Sequence, residues 1–118
     1  MSWDCTLVDK RTGKPLEGEA PHNFTGGTYQ VGGTKELTLN ITYNYGKIFR
    51  KVLGGEGLND LSGMRGLESI RFLLNGADQL KGEPDDDYWA ATEGNARKAL
   101  MDLVELATMR PDGVWQLS

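Results

Sequence analysis

Four uncharged hydrogen-bonding side chains alternate along one segment and are the first candidates for a binding surface. They are Thr38, Asn40, Thr42 and Asn44. Alternate residues of a β-strand point to the same face about 7 Å apart, so a strand here would present hydroxyl and amide groups side by side. Asparagine has a low strand propensity, and two of them in mid-strand favour a ligand platform. A solvated sheet face and a buried polar network are the alternative interpretations.

A second candidate is the glycine-containing segment formed by Asn23, Gly26, Gly27 and Thr28. Backbone N–H groups in such a loop can surround an anion. The segment matches neither GxxxxGK[ST] nor GxGxxG, so a plain hairpin turn is the competing interpretation. His22, the single histidine, has the right chemistry for a general base near neutral pH, but no nucleophile is assigned to it.

Two arginines are candidates for binding a phosphate group, because a guanidinium is its preferred planar partner. Arg65 lies between Gly63 and Gly66 in the predicted first turn of a helix. A cation there opposes the helix dipole, which favours a bound anion beside it. Arg110 ends the last predicted helix, where a role at the helix dipole or a pair with Asp112 is the alternative.

An acidic run and an aromatic pair precede the last predicted helix. The run Asp85–Asp87 lacks the spacing of a calcium loop, so the sequence predicts favourable charges at a helix N-terminus. Tyr88 and Trp89 follow, and either ring could stack on a nucleobase or belong to the core.

The start of the last helix is a further candidate binding position. Thr92 is its predicted N-cap and Asn95 lies in its first turn, where free N–H groups suit an anion. Gly94 is unfavourable inside a helix by roughly 1 kcal/mol relative to alanine. Either tight packing or contact with a ligand would explain it.

Strands predominate in the first half of the predicted structure. Trp3–Val8 alternates and is followed by a turn at Thr12–Pro15, and Thr28–Val31 is a short strand between glycine pairs. The clearest strand is Glu36–Tyr45. Its apolar face carries Leu37, Leu39, Ile41, Tyr43 and Tyr45, opposite the polar residues described above.

Helices predominate in the second half. A short helix around Ile48–Leu53 ends at Gly54–Gly55, and a longer one runs from a Ser62 cap to about Leu80. The last helix spans about Glu93–Met109, and Val114–Leu117 is a final strand or a docked tail. The predicted buried stripes are Leu67, Ile70, Leu73, Leu74 and Ala77, then Ala96, Ala99, Leu100, Leu103 and Ala107, with Arg97, Lys98, Asp102 and Glu105 facing water.

These elements predict one α+β domain over residues 1–118, with a small antiparallel sheet from the N-terminal half packed against two or three C-terminal helices. The chain has 118 residues, of which 38% are hydrophobic and 25% charged. No apolar run reaches the ~20 residues that span a bilayer, and no signal peptide is expected at the N-terminus. No membrane partner is expected.

Charge and cysteine content narrow the function classes. The net charge is −4, which disfavours duplex nucleic acid as a partner. One cysteine, Cys5, excludes an intrachain disulfide and favours a reducing cytoplasm. One cysteine and one histidine cannot form a zinc site, so neither a metal nor a cofactor is expected, and an enzyme is disfavoured without being excluded.

Several segments resemble a family of small tailed-phage and prophage accessory proteins of unassigned function. The matching stretches are Pro21–Asn23, Gly26–Tyr29, Asn40–Tyr45, Asp87–Trp89, Ala91–Ala96 and Met109–Trp115. The resemblance implies a viral protein in the cytoplasm of an infected bacterial host, and it supplies no catalytic residues.

The residue types and the viral resemblance together predict a counter-defence protein that sequesters a small nucleotide-like signalling ligand without turnover. The alternatives are an acidic inhibitor that binds a host enzyme and a small hydrolase acting on a nucleotide signal. A homo-oligomer is predicted, because Trp3 and the Val114–Leu117 tail offer apolar surface near the termini. Packing of both tryptophans on their own core is the competing interpretation.

Overall fold

The centre of the fold is an antiparallel sheet of three strands built around β1 (Ser2–Val8). It pairs on one side with β6 (Thr38–Thr42) and on the other with β7 (Val114–Leu117). Trp3 lies opposite Ile41, and Leu7 lies opposite Trp115. The predicted first and last strands are therefore confirmed.

Two short antiparallel strand pairs lie between β1 and β6 along the chain. Strand β2 (Glu17–His22) pairs with β5 (Thr34–Glu36), and β3 (Thr25–Gly26) pairs with β4 (Tyr29–Gln30). This computed structural model describes residues 1–22, 25–26, 29–30 and 34–118. The predicted anion-loop positions Asn23, Gly27 and Thr28 lie outside the described residues, as do both ends of the predicted strand Thr28–Val31.

The strand predicted over Glu36–Tyr45 is shorter than its alternating pattern indicates. Strand β6 ends at Thr42, and Tyr43–Tyr45 form a 3-10 helix. The Oγ1 atom of Thr42 accepts a hydrogen bond from the Asn44 backbone N–H and so caps this turn. As a consequence Asn44 leaves the polar face, and Tyr43 is 42% exposed instead of buried.

Three helices follow, and two were predicted closely. Helix α1 (Gly46–Leu53) ends at Gly54, whose φ of 75° suits glycine. Helix α3 (Glu93–Met109) begins at the Thr92 cap as predicted. Helix α2 (Gly66–Ala77) is shorter than predicted. Its N-cap position is Arg65, because Ser62 instead ends a 3-10 helix over Gly57–Leu61.

Helices α2 and α3 pack on each other, and the core lies between them and the apolar face of the sheet. Trp3 and Trp115 are both buried in this core, which bears out the interpretation that they pack on their own chain. The Trp115 indole donates a hydrogen bond of 2.8 Å to Ser69 Oγ and so joins β7 to α2. Leu67, predicted to be buried, is 59% exposed. The antiparallel sheet and helices form the predicted α+β fold.

Within the described part of the chain, none of the helices combines the length and the apolar character needed to cross a bilayer.

Gly94 is held by close packing against backbone. A Cβ atom there would overlap the carbonyl oxygen of Glu83 and lie 3.1 Å from the Pro84 nitrogen. This contact supports the tight-packing interpretation of Gly94. Gly46 begins α1, yet a Cβ atom there would make ordinary contacts of 3.5 and 3.6 Å.

We expect Gly94→Ala to lower the free energy of unfolding by about 1–3 kcal/mol, because either α3 or the Glu83 backbone must move. Gly46→Ala, the matched control, should leave it unchanged or slightly raised, since alanine has the higher helix propensity. Urea unfolding of both variants tests this. Equal free energies of unfolding in the two variants would mean that the Glu83 backbone moves away from the added Cβ atom at no measurable cost.

Candidate functional site

The candidate site is a cavity of about 190 Å³ between β6 and α3, closed at one end by the segment Pro84–Tyr88. Apolar side chains and Tyr45 form part of its wall. Five polar residues complete the lining: Asn40, Asp85, Asn95, Lys98 and Asp102. The residues of α3 in the wall recur at intervals of three and four, so the cavity follows one face of that helix.

Asn40 is the most unusual polar residue of the lining, because it is only 3% exposed. Its Nδ2 donates to Ser2 Oγ at 2.7 Å and to Asp4 Oδ1 at 2.9 Å, with a longer contact to the Trp3 carbonyl. Its Oδ1 is buried without a hydrogen-bond partner among the described residues. An unpaired buried acceptor typically costs about 1–3 kcal/mol. Asn40 lies opposite Asp4 and alternates with the core residues Leu39 and Ile41, so its side chain lies on the face of the sheet away from α3.

The edge of β6 that does not pair with β1 lies next to the cavity. The N–H of Tyr43 donates to the Met1 carbonyl, which makes Tyr43, Ile41 and Leu39 the residues that bond to β1. The intervening Asn40 and Thr42 consequently direct their backbone groups away from β1. The N–H of Thr42 donates to the Tyr88 hydroxyl at 3.0 Å, and Tyr88 lines the cavity.

Asn40 and Thr42 are therefore buried instead of forming an open ladder. Strand β3 packs against β6. The buried polar network, one of the alternatives raised by the sequence, is the interpretation that the burial supports for these two residues. The solvated-face interpretation is wrong for both.

Lys98 and Asp102 bring opposite charges to the cavity wall. Lys98 Nζ lies 2.7 Å from Asp102 Oδ2, one helical turn further along α3. Burial raises the pKa of Asp102, and the hydrogen bond from Lys98 opposes that rise. The prediction that Asp102 faces water is wrong, because it shares a helix face with Asn95 and Ala99, which are buried.

Asn95 holds the segment that closes the cavity. Its Oδ1 accepts from the Asp85 N–H at 2.8 Å. Its Nδ2 donates to the carbonyls of Asp87 at 3.0 Å and Ala90 at 2.9 Å. The N-cap bond from Asn95 N–H to Thr92 Oγ1 fixes the start of the helix beneath it. Thr92 and Asn95 thus act first as structural residues.

The acidic run does not begin a helix, so that prediction is wrong. Asp85 Oδ1 accepts from the Asp87 N–H at 2.8 Å, and Asp87 Oδ1 accepts from the Trp89 N–H at 3.0 Å. The carboxylates therefore shape two successive turns. Trp89 is 41% exposed, and its carbonyl accepts from Asn44 Nδ2.

The structure brings six of the predicted site residues together around this segment. They are Asn40, Thr42, Asn44, Trp89, Thr92 and Asn95. Only Asn40 and Asn95 line the cavity. Lys98, Asp102 and Asp85 were missed, although the spacing of Asn95, Lys98 and Asp102 along one helix face would have indicated the first two.

The two arginines are not part of this site. Arg110 pairs with Asp112, at 2.8 and 3.0 Å, and also donates to the Glu17 carbonyl, so the pairing alternative is confirmed. That pair lowers the pKa of Asp112. Arg65 is exposed and lies 3.9 Å from Glu68. It precedes the first turn of α2, and this carboxylate is the anion beside it.

Across residues 1–22, 25–26, 29–30 and 34–118, no cluster of three or more histidine, cysteine, aspartate or glutamate side chains is placed to hold a metal ion. The Cys5 thiol is buried, and burial raises its pKa, so it is a core residue and a poor nucleophile.

We expect Asn95→Asp to lower the free energy of unfolding by about 1–3 kcal/mol, since it replaces the donor to two carbonyls with a carboxylate oxygen. Asn75→Asp, at an exposed position of α2, is the matched control and should change stability by less than about 0.5 kcal/mol. Equal effects in thermal or urea unfolding would show that the Asn95 amide does not hold the segment.

Asp102 should make stability depend on pH. Its raised pKa means that the folded state keeps the proton over a range where the unfolded state, near pKa 3.8, has lost it. The free energy of unfolding therefore falls as the pH rises from about 4 through the folded-state pKa. Asp102→Asn removes this loss, so its stability relative to the wild type should increase over that range. The substitution Asp78→Asn, at an exposed position, is the control. A difference in stability between Asp102→Asn and the wild type that does not depend on pH would contradict the assignment.

Comparison of the chain with protein-family models, with curated proteins and with solved structures found no match.

Proposed function

We propose that the protein binds a small, planar, hydrogen-bonding ligand in the cavity between β6 and α3 and holds it without turnover. The single observation that carries the proposal is the cavity itself, whose α3 wall presents the Lys98 ammonium and the Asp102 carboxylate 2.7 Å apart. Together they supply a donor and an acceptor for a ligand ring.

The volume limits the ligand. Pockets for whole drug-sized molecules commonly measure about 300–1,000 Å³. The cavity, at about 190 Å³, has room for about six water molecules at roughly 30 Å³ each. It therefore suits a nucleobase or a ring of similar size, while the sugar and phosphate of a nucleotide-like ligand would remain outside.

The wider role is part of the same proposal. In an infected bacterial cell, such a protein would withdraw a nucleotide-like immune signal from its receptor by binding the ring. The phage resemblance and the mixed donor and acceptor set are what support it. An acidic inhibitor of a host enzyme remains the alternative, with the exposed run Asp85–Asp87 as its natural contact surface.

A hydrolase is the second candidate, and one observation favours it. Asp85 and Asp102 both line the cavity, and the pKa of Asp102 is raised by burial. A carboxyl group that retains its proton can act as a general acid. The distinction is experimental, because a hydrolase releases products whereas a sequestering protein releases the intact ligand when denatured.

The predicted homo-oligomer stays a proposal. The buried tryptophans remove the original reason for it. The exposed Leu67 on α2, with Ile70 half-buried on the same helix face, is the apolar surface that supports it now.

Filling the cavity should abolish binding. Ala99 lines it, so Ala99→Leu places apolar atoms where the ring would lie. We expect wild-type protein purified from the infected host to release one small ring compound on denaturation, detected by mass spectrometry, and Ala99→Leu to release none. Ala91→Leu, at an exposed position, should release as much as wild type.

Asp102→Ala should weaken binding of the released compound about 5- to 150-fold, because a buried donor of the ligand loses its acceptor. Unchanged affinity in Asp102→Ala and Ala99→Leu, measured by calorimetry, would place the ligand elsewhere. Recovery of cleaved products instead of the intact compound would favour the hydrolase.

A further inference from the structure

A second concavity, of about 360 Å³, opens beside the 3-10 helix Tyr43–Tyr45. We call it the α1 cleft, and it is lined by Trp3, Tyr43, Gly46, Arg50 and Asn59. It shares no lining residue with the cavity described above. Its volume falls within the range that encloses a small organic ligand.

One wall of the α1 cleft is a fixed aromatic surface. The rings of Trp3 and Tyr43 meet edge to face with their centroids 4.7 Å apart. Trp3 is held in place, because its indole Nε1 donates to Asn59 Oδ1 at 2.9 Å and its ring packs near Phe49. Tyr43 is 42% exposed, so this ring is available to a ligand.

A positive charge lies beside the aromatic surface. A Cβ atom added to Gly46 would lie 3.5 Å from Arg50 Nη1 and 3.6 Å from Trp3 Cη2. The guanidinium therefore lies beside Gly46, on the same side as the indole edge.

The cation is unneutralised within the part of the chain that the structure describes. No carboxylate there lies within ion-pair distance of Arg50, Lys47 or Lys51, the three cations of α1. Helix α1 contains no acidic residue, although the whole chain carries a net charge of −4. Three unpaired cations on one two-turn helix attract an anion.

We propose that the α1 cleft binds a nucleotide unit, with its base stacked on Tyr43 and its phosphate on the Arg50 guanidinium. Aromatic rings stack on every base, and the planar fork of arginine matches phosphate oxygens. A free mononucleotide and a single-stranded oligonucleotide both supply this unit. The proposal does not depend on the cavity between β6 and α3.

The test is a titration of ¹⁵N-labelled full-length protein with adenosine 5′-monophosphate, adenosine, inorganic phosphate and a ten-residue oligodeoxyadenylate. The Trp3 indole N–H signal reports on the cleft, and that of Trp115, bonded to Ser69 in the core, is the internal control. We expect the monophosphate to shift the Trp3 signal and to bind at least tenfold more tightly than adenosine or phosphate.

Variants separate the two contacts. Arg50→Ala should weaken binding of the monophosphate at least tenfold, and Arg50→Lys should restore only part of it. Tyr43→Leu should weaken it about 5- to 150-fold, whereas Tyr43→Phe should retain it. Arg71→Ala, an exposed cation of α2, should bind like wild type.

The titration also identifies the source of the nucleotide unit and can overturn the proposal. Tighter binding of the oligonucleotide, with a steep dependence on salt, would identify a single strand as the source of the unit. Equal binding per nucleotide would identify the free compound. Absence of a Trp3 shift with every probe, or unchanged affinity in Arg50→Ala and Tyr43→Leu, would overturn the proposal.

Ala99→Leu separates this proposal from that for the cavity. If Ala99→Leu abolishes the Trp3 shift, the monophosphate binds through the cavity and the cleft proposal fails. If the shift persists in that variant, the cleft binds independently, whether or not the cavity proposal holds.

Discussion

The close seating of the segment Glu83–Ala90 on the first turn of α3 is the contact on which the candidate site depends. Gly94 allows the backbone of Glu83 to approach the helix, and Asn95 then binds that segment through both ends of its amide. The segment in turn brings Tyr88 to the edge of β6. One glycine and one asparagine therefore determine the end wall of a cavity whose other walls belong to regular elements.

The polar groups around this contact are of two kinds. Those of Asn44, Thr92 and Asn95 bond to backbone atoms and stabilise turns. Those of Lys98 and Asp102 line the cavity. Burial of charged groups is unfavourable unless each group finds a partner, and Lys98 and Asp102 pair with each other. The Asn40 Oδ1 lies on the other face of the sheet and has no partner among the described residues.

Periodicity predicted the regular elements well, because α3 and β1 each have a clear apolar face and α3 has a capping threonine. It failed at Tyr43, where a single hydroxyl, that of Thr42, turns a continuing strand pattern into a 3-10 helix. It also failed at Arg65, because a turn that precedes α2 occupies the predicted first helical residues. The cavity could not be predicted, since it depends on where an irregular segment rests. The face shared by Asn95, Lys98 and Asp102 was the part of it available from spacing.

The position of β7 has a consequence for how the chain reaches this fold. Strand β1 lies at the start of the chain and is the central strand, yet one of its partners is formed by Val114–Leu117. Cys5 lies opposite Leu117, so synthesis must proceed as far as Leu117 before the sheet is complete. Until then β1 presents an unpaired edge, and the Trp115 side chain is missing from the core. Pairing over such a separation slows folding. The nascent chain is consequently exposed to aggregation until Val114–Leu117 has been synthesised and has paired with β1.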